Sequence, residues 1–300
     1  MNSPRVSIGL PVHNGERYLR RAVDSILAQD YADFELIISD NASTDATPLI
    51  CREYALQDRR VRFYRNETNI GAGPNHNRTF DLARGQFFSW AAHDIEMLPG
   101  MLNRCVDVIS QAPTSVVLVY PRCQMIDEAG AFDWLEVLSL DTRDPRPPRR
   151  LATVLHHLSW VNQFYGLTRV AALRKTRLMD SFASSDYVLL AELAMLGEIW
   201  EIPEVLTRRY LDNKRGVAAN RDRKAWANWI DPRAKTRCNW LPVHERLTVE
   251  YLRSAWRIPV RRLDRLQCLF VTPYTCYRRL LLRKTGPLRS KLKAMASALC

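Results

Sequence analysis

The chain has 300 residues, 47% hydrophobic and 25% charged, with a net charge of +12, enough for one large domain or two small ones with a sizeable buried core. Seven cysteines without a C-x-x-C pair exclude a disulfide framework and a zinc site and fit a reducing cytoplasm. No apolar run reaches the length of a membrane span, and MNSPRVSIGLPVHNG has neither the charged nor the long apolar region of a signal peptide, so a cytoplasmic protein is expected.

Val6–Pro11 is a short apolar run closed by proline and reads as a first strand, followed by a turn at His13-Asn14-Gly15. Glu16–Ala28 places Leu19, Ala22, Val23, Ile26 and Leu27 at helical spacing. Phe34–Ser39 is a second strand running into the polar loop Asp40–Asp45, where Thr44 or Asp45 is placed to cap a helix over Pro48–Gln57. Val61–Arg65 is a third strand, Asn69–Pro74 a glycine-containing loop, Asn75–Ala83 a helix and Phe87–Ala92 a fourth strand. This alternation predicts a parallel sheet covered by helices, with His13–Gly15, Asp40–Asp45 and His93–Glu96 converging on one crevice at the carboxyl ends of the strands.

Beyond it, Met101–Ala112 reads as a helix and Val116–Tyr120 as a strand. Asp141–Arg150, rich in proline and charge, reads as an exposed mobile loop before a helix at Leu151–Leu158. Phe164–Thr168 looks like a strand, with Gly166 permitting close backbone approach, and Tyr187–Leu196 is a helix ended by Gly197. Ile199–Ile202 is a short strand stopped at Pro203, and helices follow Asn239 with breaks at Pro259, Pro273 and Gly286-Pro287.

Several polar residues sit where chemistry is expected, and each has a plainer alternative. Asp94 ends a buried run and either faces a ligand or caps the helix that Pro99 opens. Asp40 and Asn41 are placed to hold a base or ribose, or are ordinary turn residues. Asp186 is a general base or an N-cap, and Glu192, among apolar neighbours, needs a buried partner. No G-x-G-x-x-G, G-x-x-x-x-G-K-[ST] or G-x-S-x-G is present, which argues against a dinucleotide fold, a P-loop enzyme and a serine hydrolase.

Taken together, VSIGLPVHNGERYLRRAVDSILAQDYADFELIISDNASTDAT at 6–47, NIGAGPNHNR at 69–78, ARGQFFSWAAHDIEMLPGML at 83–102 and SSDYVLLAELAMLGEIWEIPEVLTRRY at 184–210 resemble family 2 glycosyltransferases. The resemblance covers roughly residues 5–215. It implies an α/β fold of the GT-A kind: a Rossmann-like mixed, mainly parallel sheet flanked by helices over 1–220. The remaining region, 221–300, lies outside the resemblance and reads as basic and helical. The resemblance also implies an inverting enzyme that moves sugar from a nucleotide-diphosphate donor of the UDP or dTDP type to a hydroxyl of a glycan or lipid-linked acceptor. Pro11, Val12, Asn14, Asp40, Asn41, Asn69, Gly71, Asn75, His93 and Asp94 fall where the family binds nucleotide sugar. Asp94 falls on the acid that holds a divalent metal, Mg²⁺ or Mn²⁺, which offsets charge on the leaving diphosphate. Asp186 falls on the catalytic base.

Two departures stand out. Counted back from Pro99, the family's D-x-D aligns with Ala92-His93-Asp94, so the first acid is missing, while a literal D-x-E at Asp94–Glu96 is out of register. Tyr210–Arg215 lacks a histidine often found in relatives, leaving Lys214 or Arg215 as diphosphate contacts. A catalytically weak nucleotide-sugar-binding or scaffold protein, and less so a nucleotidyltransferase, are the alternatives.

The charge is concentrated at one end. Tyr251–Cys300 holds 12 Lys and Arg against Asp264 alone, a net +11, which leaves +1 for the other 250 residues. A neutral body with a basic tail is not the pattern of a nucleic-acid binder. The tail is either a helical face packed on the body or an amphipathic segment on an anionic cytoplasmic membrane surface.

Overall fold

A computed structural model describes residues 3–126, 133–135, 139–157, 161–210 and 243–277. The first half alternates as its periodicity predicts: β1 (Val6–Val12), α1 (Glu16–Leu27), β2 (Phe34–Asp40), α2 (Thr47–Gln57), β3 (Val61–Arg65), α3 (Ala72–Asp81) and β4 (Phe87–Trp90). Every residue of β1 and β2 is buried, as strands covered on both faces must be. β1 lies between β2 and β4, parallel to both, and β3 extends the sheet beyond β2. Glu16 and Asp45 cap each other's helices: Glu16 N–H donates to Asp45 Oδ2 at 3.2 Å, and Glu16 Oε2 accepts Ala46 N–H at 2.9 Å. Asp45, one of the two expected caps, also accepts the Thr47 N–H at 3.0 Å.

The second half contains β5 (Ile95–Met97), α4 (Met101–Gln111), β6 (Val116–Ile126), β7 (Asp133–Leu135), α5 (Pro147–His157), β8 (Leu167–Arg169), α6 (Val170–Leu173), α7 (Ser185–Leu196), β9 (Glu198–Tyr210), α8 (Val243–Arg257) and a last helix, α9, over 262–277. Among the described residues one sheet runs β3-β2-β1-β4-β8-β6-β9-β5, with β7 on β6. β8, β5 and β7 pair antiparallel and the rest parallel, so the sheet is mixed and, by paired length, mainly parallel.

Four expectations need correction. α9 runs unbroken through Pro273, where a break was expected. The run Asp141–Arg150 is not a loop throughout, and only part of it is exposed. Thr142 is buried, α5 starts at Pro147, and the buried Arg150 donates to the Ala194 and Met195 carbonyls at 2.6 and 3.1 Å, closing the C-terminus of α7. The strand expected over Phe164–Thr168 is a 3₁₀ turn, Asn162–Tyr165, followed by β8. Phe164 stacks on Trp90 with centroids 4.5 Å apart, and a side chain on Gly166 would meet the Val119 carbonyl at 2.4 Å. Finally, β9 does not stop at Pro203. The register jumps from Pro121↔Ile202 to Arg122↔Val205, and the bulge lifts proline, which has no N–H to donate, out of the ladder.

Candidate active site

The register Val12↔Asp40↔Arg65 brings three strand ends level, and the loops leaving them are laced together. Pro11 is buried on β1 opposite Ser39, just beyond the point where the β4 ladder stops at Gly9↔Trp90. Asp40 is fully buried. Its Oδ1 accepts the Ser43 N–H at 3.0 Å, and its Oδ2 lies 3.1 Å from Arg65 Nε. Asn41 donates to Asn69 Oδ1 at 2.8 Å and to the Gly71 carbonyl at 3.2 Å, and accepts the Ile70 N–H and Asn66 Nδ2–H at 2.9 Å each. Asn75 donates to the Ser39 carbonyl at 2.9 Å and accepts the Ser39 hydroxyl at 2.8 Å.

Asn41 and Asn75 therefore hold the pocket wall in shape through groups already committed to the protein. Backbone strain marks the same place. Asn14, Ala42 and Gly71 have φ of 52°, 60° and 91°, and a non-glycine residue in the left-handed region costs roughly 1–2 kcal/mol. Asn14 ties the first loop to the second: its N–H donates to Ser43 Oγ at 2.8 Å and its Oδ1 accepts the Thr44 N–H at 2.9 Å. His13 Nε2 sits 3.5 Å from Asn69 Nδ2.

Asp94 caps no helix. α4 starts at Met101 behind Gly100, whose φ is 79°, whereas Asp94 lies in the turn between β4 and β5. Pairing of β5 with β9 sets Ile95 opposite Arg209 and brings the Arg209 Nε to 3.4 Å from Asp94 Oδ2. Arg209 also reaches Asn162 Oδ1 at 3.3 Å and lies 5.8 Å from the Tyr165 ring centre. Burial is the largest single influence and works against its charge, but Asp94, Tyr165 and Cys123 together outweigh it and hold its pKa above the ordinary value. His93 flanks the first loop, since a Cβ on Gly15 would stand 3.4 Å from its ring. Glu96 is engaged elsewhere: its Oε2 accepts the Tyr210 hydroxyl at 2.8 Å and faces Arg208 at 3.3 Å.

Asp186 is not an N-cap either. Ser184 occupies the cap position of α7 with φ of 65°, and Asp186 lies inside the first turn, accepting the Tyr187 N–H at 3.0 Å. Burial pushes its carboxyl up to about 6, against the opposing pull of that N–H and of the Arg209 charge. Burial, with Asp94 and Asp186 nearby, likewise pushes the Tyr165 hydroxyl up to about 12. Two acids, Asp94 and Asp186, thus lie within electrostatic reach of the same Arg209 and Tyr165.

The donor set decides what kind of metal fits. Among the described residues no three His, Cys, Asp or Glu side chains form a cluster able to hold an ion, and the Asp94 carboxylate already faces a guanidinium. A resident metal does not fit these residues. An ion that arrives with a diphosphate does, because Mg²⁺ commonly takes one or two carboxylates and completes its shell with phosphate and water.

Glu192 finds its partner away from the crevice. Fully buried, it accepts from Arg177 Nε at 3.1 Å, Arg257 at 2.6 Å and the Ser254 hydroxyl at 2.7 Å. Arg177 bridges on to Glu250 at 2.6 Å, so a buried ionic cluster clamps α8 to α7. Arg209 and Arg65 are the site residues that sequence reasoning missed. Adjacent arginines 208 and 209 carry no signal for which one meets Asp94, since only the β5–β9 register distinguishes them. Lys214 and Arg215 lie outside the described residues.

Comparison with known proteins places this geometry. The model of the family described as Glycosyl transferase family 2 matches residues 7–165. An uncharacterized glycosyltransferase of Rickettsia typhi is 35% identical over 126 residues, 42% of this chain and 38% of the relative. The GalNAc(5)-diNAcBac-PP-undecaprenol beta-1,3-glucosyltransferase of Campylobacter jejuni is 31% identical over 129 residues, 42% of this chain and 40% of its own length. The matches thus span about two fifths of these relatives. Among solved structures, S. aureus TarS 1-349 superposes with a TM-score of 0.63 at 16% identity, covering 91% of this chain and 72% of TarS. The mannosyltransferase PcManGT of Pyrobaculum calidifontis, in complex with GDP-Man and Mn²⁺, superposes with a TM-score of 0.58 at 17% identity, covering 100% and 81%. At these identities the superpositions establish a shared GT-A fold.

Proposed function

Because the chain belongs to glycosyl transferase family 2, we propose that it moves a sugar from a nucleotide-diphosphate sugar to an acceptor hydroxyl by a single inverting displacement. The observation that carries this is Asp186, a carboxyl that burial pushes up to about 6 within reach of the Arg209 that faces Asp94. A base of that strength is ionised at neutral pH and still takes a proton from an attacking hydroxyl. The loops around Asn14, Asn41, Asn69 and Gly71 form the wall against which the nucleoside rests, and Pro11, Val12, Asp40 and Asn75 fix the strand ends beneath it.

The acceptor oxygen attacks C1 of the sugar while Asp186 takes its proton. The C1–O bond to the diphosphate breaks, its electrons leave with the phosphate, and the anomeric centre inverts without a covalent enzyme intermediate. Arg209 supplies positive charge where the leaving group gains negative charge. Asp94, beside His93, is the carboxylate that would hold a divalent ion delivered with the donor. Such an ion, Mg²⁺ or Mn²⁺, neutralises diphosphate charge when bound.

The uridine or thymidine base follows from the family resemblance, and a glycan or lipid-linked acceptor fits the undecaprenol-linked substrate in the name of the Campylobacter relative. A donor screen tests the proposal: UDP-, dTDP- and GDP-sugars are incubated with the protein, Mn²⁺ and a lipid-linked or oligosaccharide acceptor. The expected result is turnover with a UDP or dTDP donor, a product of opposite anomeric configuration by NMR, and loss of turnover with retained donor binding in Asp186→Asn. Donor binding without turnover in the wild type would instead support a scaffold.

A further inference from the structure

The basic C-terminal region resolves into two unlike faces on α9. Cys268 and Thr272 are fully buried and Thr275 nearly so, all on the side that packs against the body. Leu263, Leu266, Phe270, Tyr274 and Tyr277 are between 53% and 76% exposed. At about 100° per residue these five fall within an arc of roughly 80°, on the side away from the buried three. Trp256 of α8 is exposed as well, and the Arg265 guanidinium lies 5.8 Å from its ring centre. Arg261 and Arg262 are exposed at the start of the helix. No described helix is long and apolar enough to cross a membrane, so a bilayer would meet this helix on its side.

We propose that the Leu263–Tyr277 face of α9 lies on the surface of an anionic lipid bilayer. Three large aromatics and two leucines in a row offer apolar area to the acyl boundary, and the two tyrosines suit the headgroup level. The net +11 over Tyr251–Cys300 supplies attraction to anionic headgroups. The same charge disfavours a second copy as occupant, because a two-fold interface on this face would set Arg261 and Arg262 of each copy among like charges. The opposite face of α9 is packed on the body, so the bilayer would take a preformed surface and not a helix that must fold on contact.

The test is co-sedimentation of the full chain with vesicles of phosphatidylcholine alone and of phosphatidylcholine mixed with phosphatidylglycerol. Binding to the mixed vesicles only, weakened by added salt, is expected. Arg261→Gln with Arg262→Gln should bind about thirtyfold more weakly, at about 1 kcal/mol per charge and tenfold per 1.4 kcal/mol. Phe270→Ser with Tyr274→Ser should weaken binding at least tenfold while leaving thermal unfolding and donor turnover unchanged, because both side chains are exposed. Undiminished vesicle binding by the Phe270 and Tyr274 variant overturns the proposal. So does equal binding to neutral vesicles, or a concentration-dependent dimer that this variant abolishes.

Discussion

Asp186→Asn should stabilise the protein while inactivating it, and the stabilisation should depend on pH. In the folded chain the carboxyl's pKa stands at about 6 against an ordinary 3.8. Between those values the folded state keeps a proton that the unfolded state has released, so wild-type stability falls as pH rises through the window. At about 1.36 kcal/mol per pH unit the loss is about 3 kcal/mol, complete above about pH 6 and absent below about pH 4. Asparagine carries no charge at any of these values and keeps an oxygen for the Tyr187 N–H. The stability of the Asp186→Asn variant minus that of wild type should therefore open from near zero at about pH 4 to about 3 kcal/mol at about pH 7. Paired urea denaturation curves across that range measure it, and the subtraction cancels the other titrating groups. Over the same range the wild-type rate should fall tenfold per unit below about pH 6, as the base becomes protonated, while the variant loses on the order of 10²–10⁴-fold above about pH 6 and lacks that acid limb, so its deficit shrinks as pH falls. A stability difference that is flat with pH, or larger at acid pH, would refute a desolvated base at this position.

Three further outcomes follow from the same geometry. Arg209→Met removes a positive charge that holds the Asp186 carboxyl down, so the acid limb of the rate profile should move upward from about 6; an unmoved limb would disconnect the two residues. In calorimetry, Mn²⁺ alone should show no binding, whereas Mn²⁺ with a nucleoside diphosphate should bind, and Asp94→Ala should abolish the metal-dependent part. Undiminished binding by that variant removes Asp94 as the ligand. Arg177→Ala removes the one guanidinium shared by two buried carboxylates, Glu192 and Glu250, and should cost about 3 kcal/mol in denaturant unfolding; a loss below about 1 kcal/mol would mean that Arg257, Arg246 and Arg253 hold the cluster unaided.

Much of the first half was legible because its signals are local. Buried strands such as Val6–Val12 are apolar throughout, α1 repeats its apolar residues at helical spacing, and polar residues at strand ends are adjacent in sequence to the strands that carry them. The second half was harder where a partner far along the chain set the outcome. Arg150 looked like loop charge until the open carbonyls of α7, some 44 residues on, accepted it. Pro203 looked like a strand end until pairing along β6 carried β9 past it in a bulge. Asp94 and Asp186 both resembled helix caps, and only the helix starts at Met101 and Ser185 removed that alternative.

By itself the sequence determined the alternating sheet, the family, the polar loops at the strand ends and the concentration of charge after residue 250. Periodicity, turn chemistry and composition depend on near neighbours, so a single chain displays them. The tertiary structure alone decided that Arg209, not Arg208, faces Asp94, that Asp186 sits where burial raises its pKa, that Glu192 clamps α8 rather than serving the site, and which side of α9 stays uncovered. Each of these depends on which distant segment comes to lie alongside, through strand register or helix packing. Burial and charge pairing are properties of that arrangement, and no local pattern encodes them.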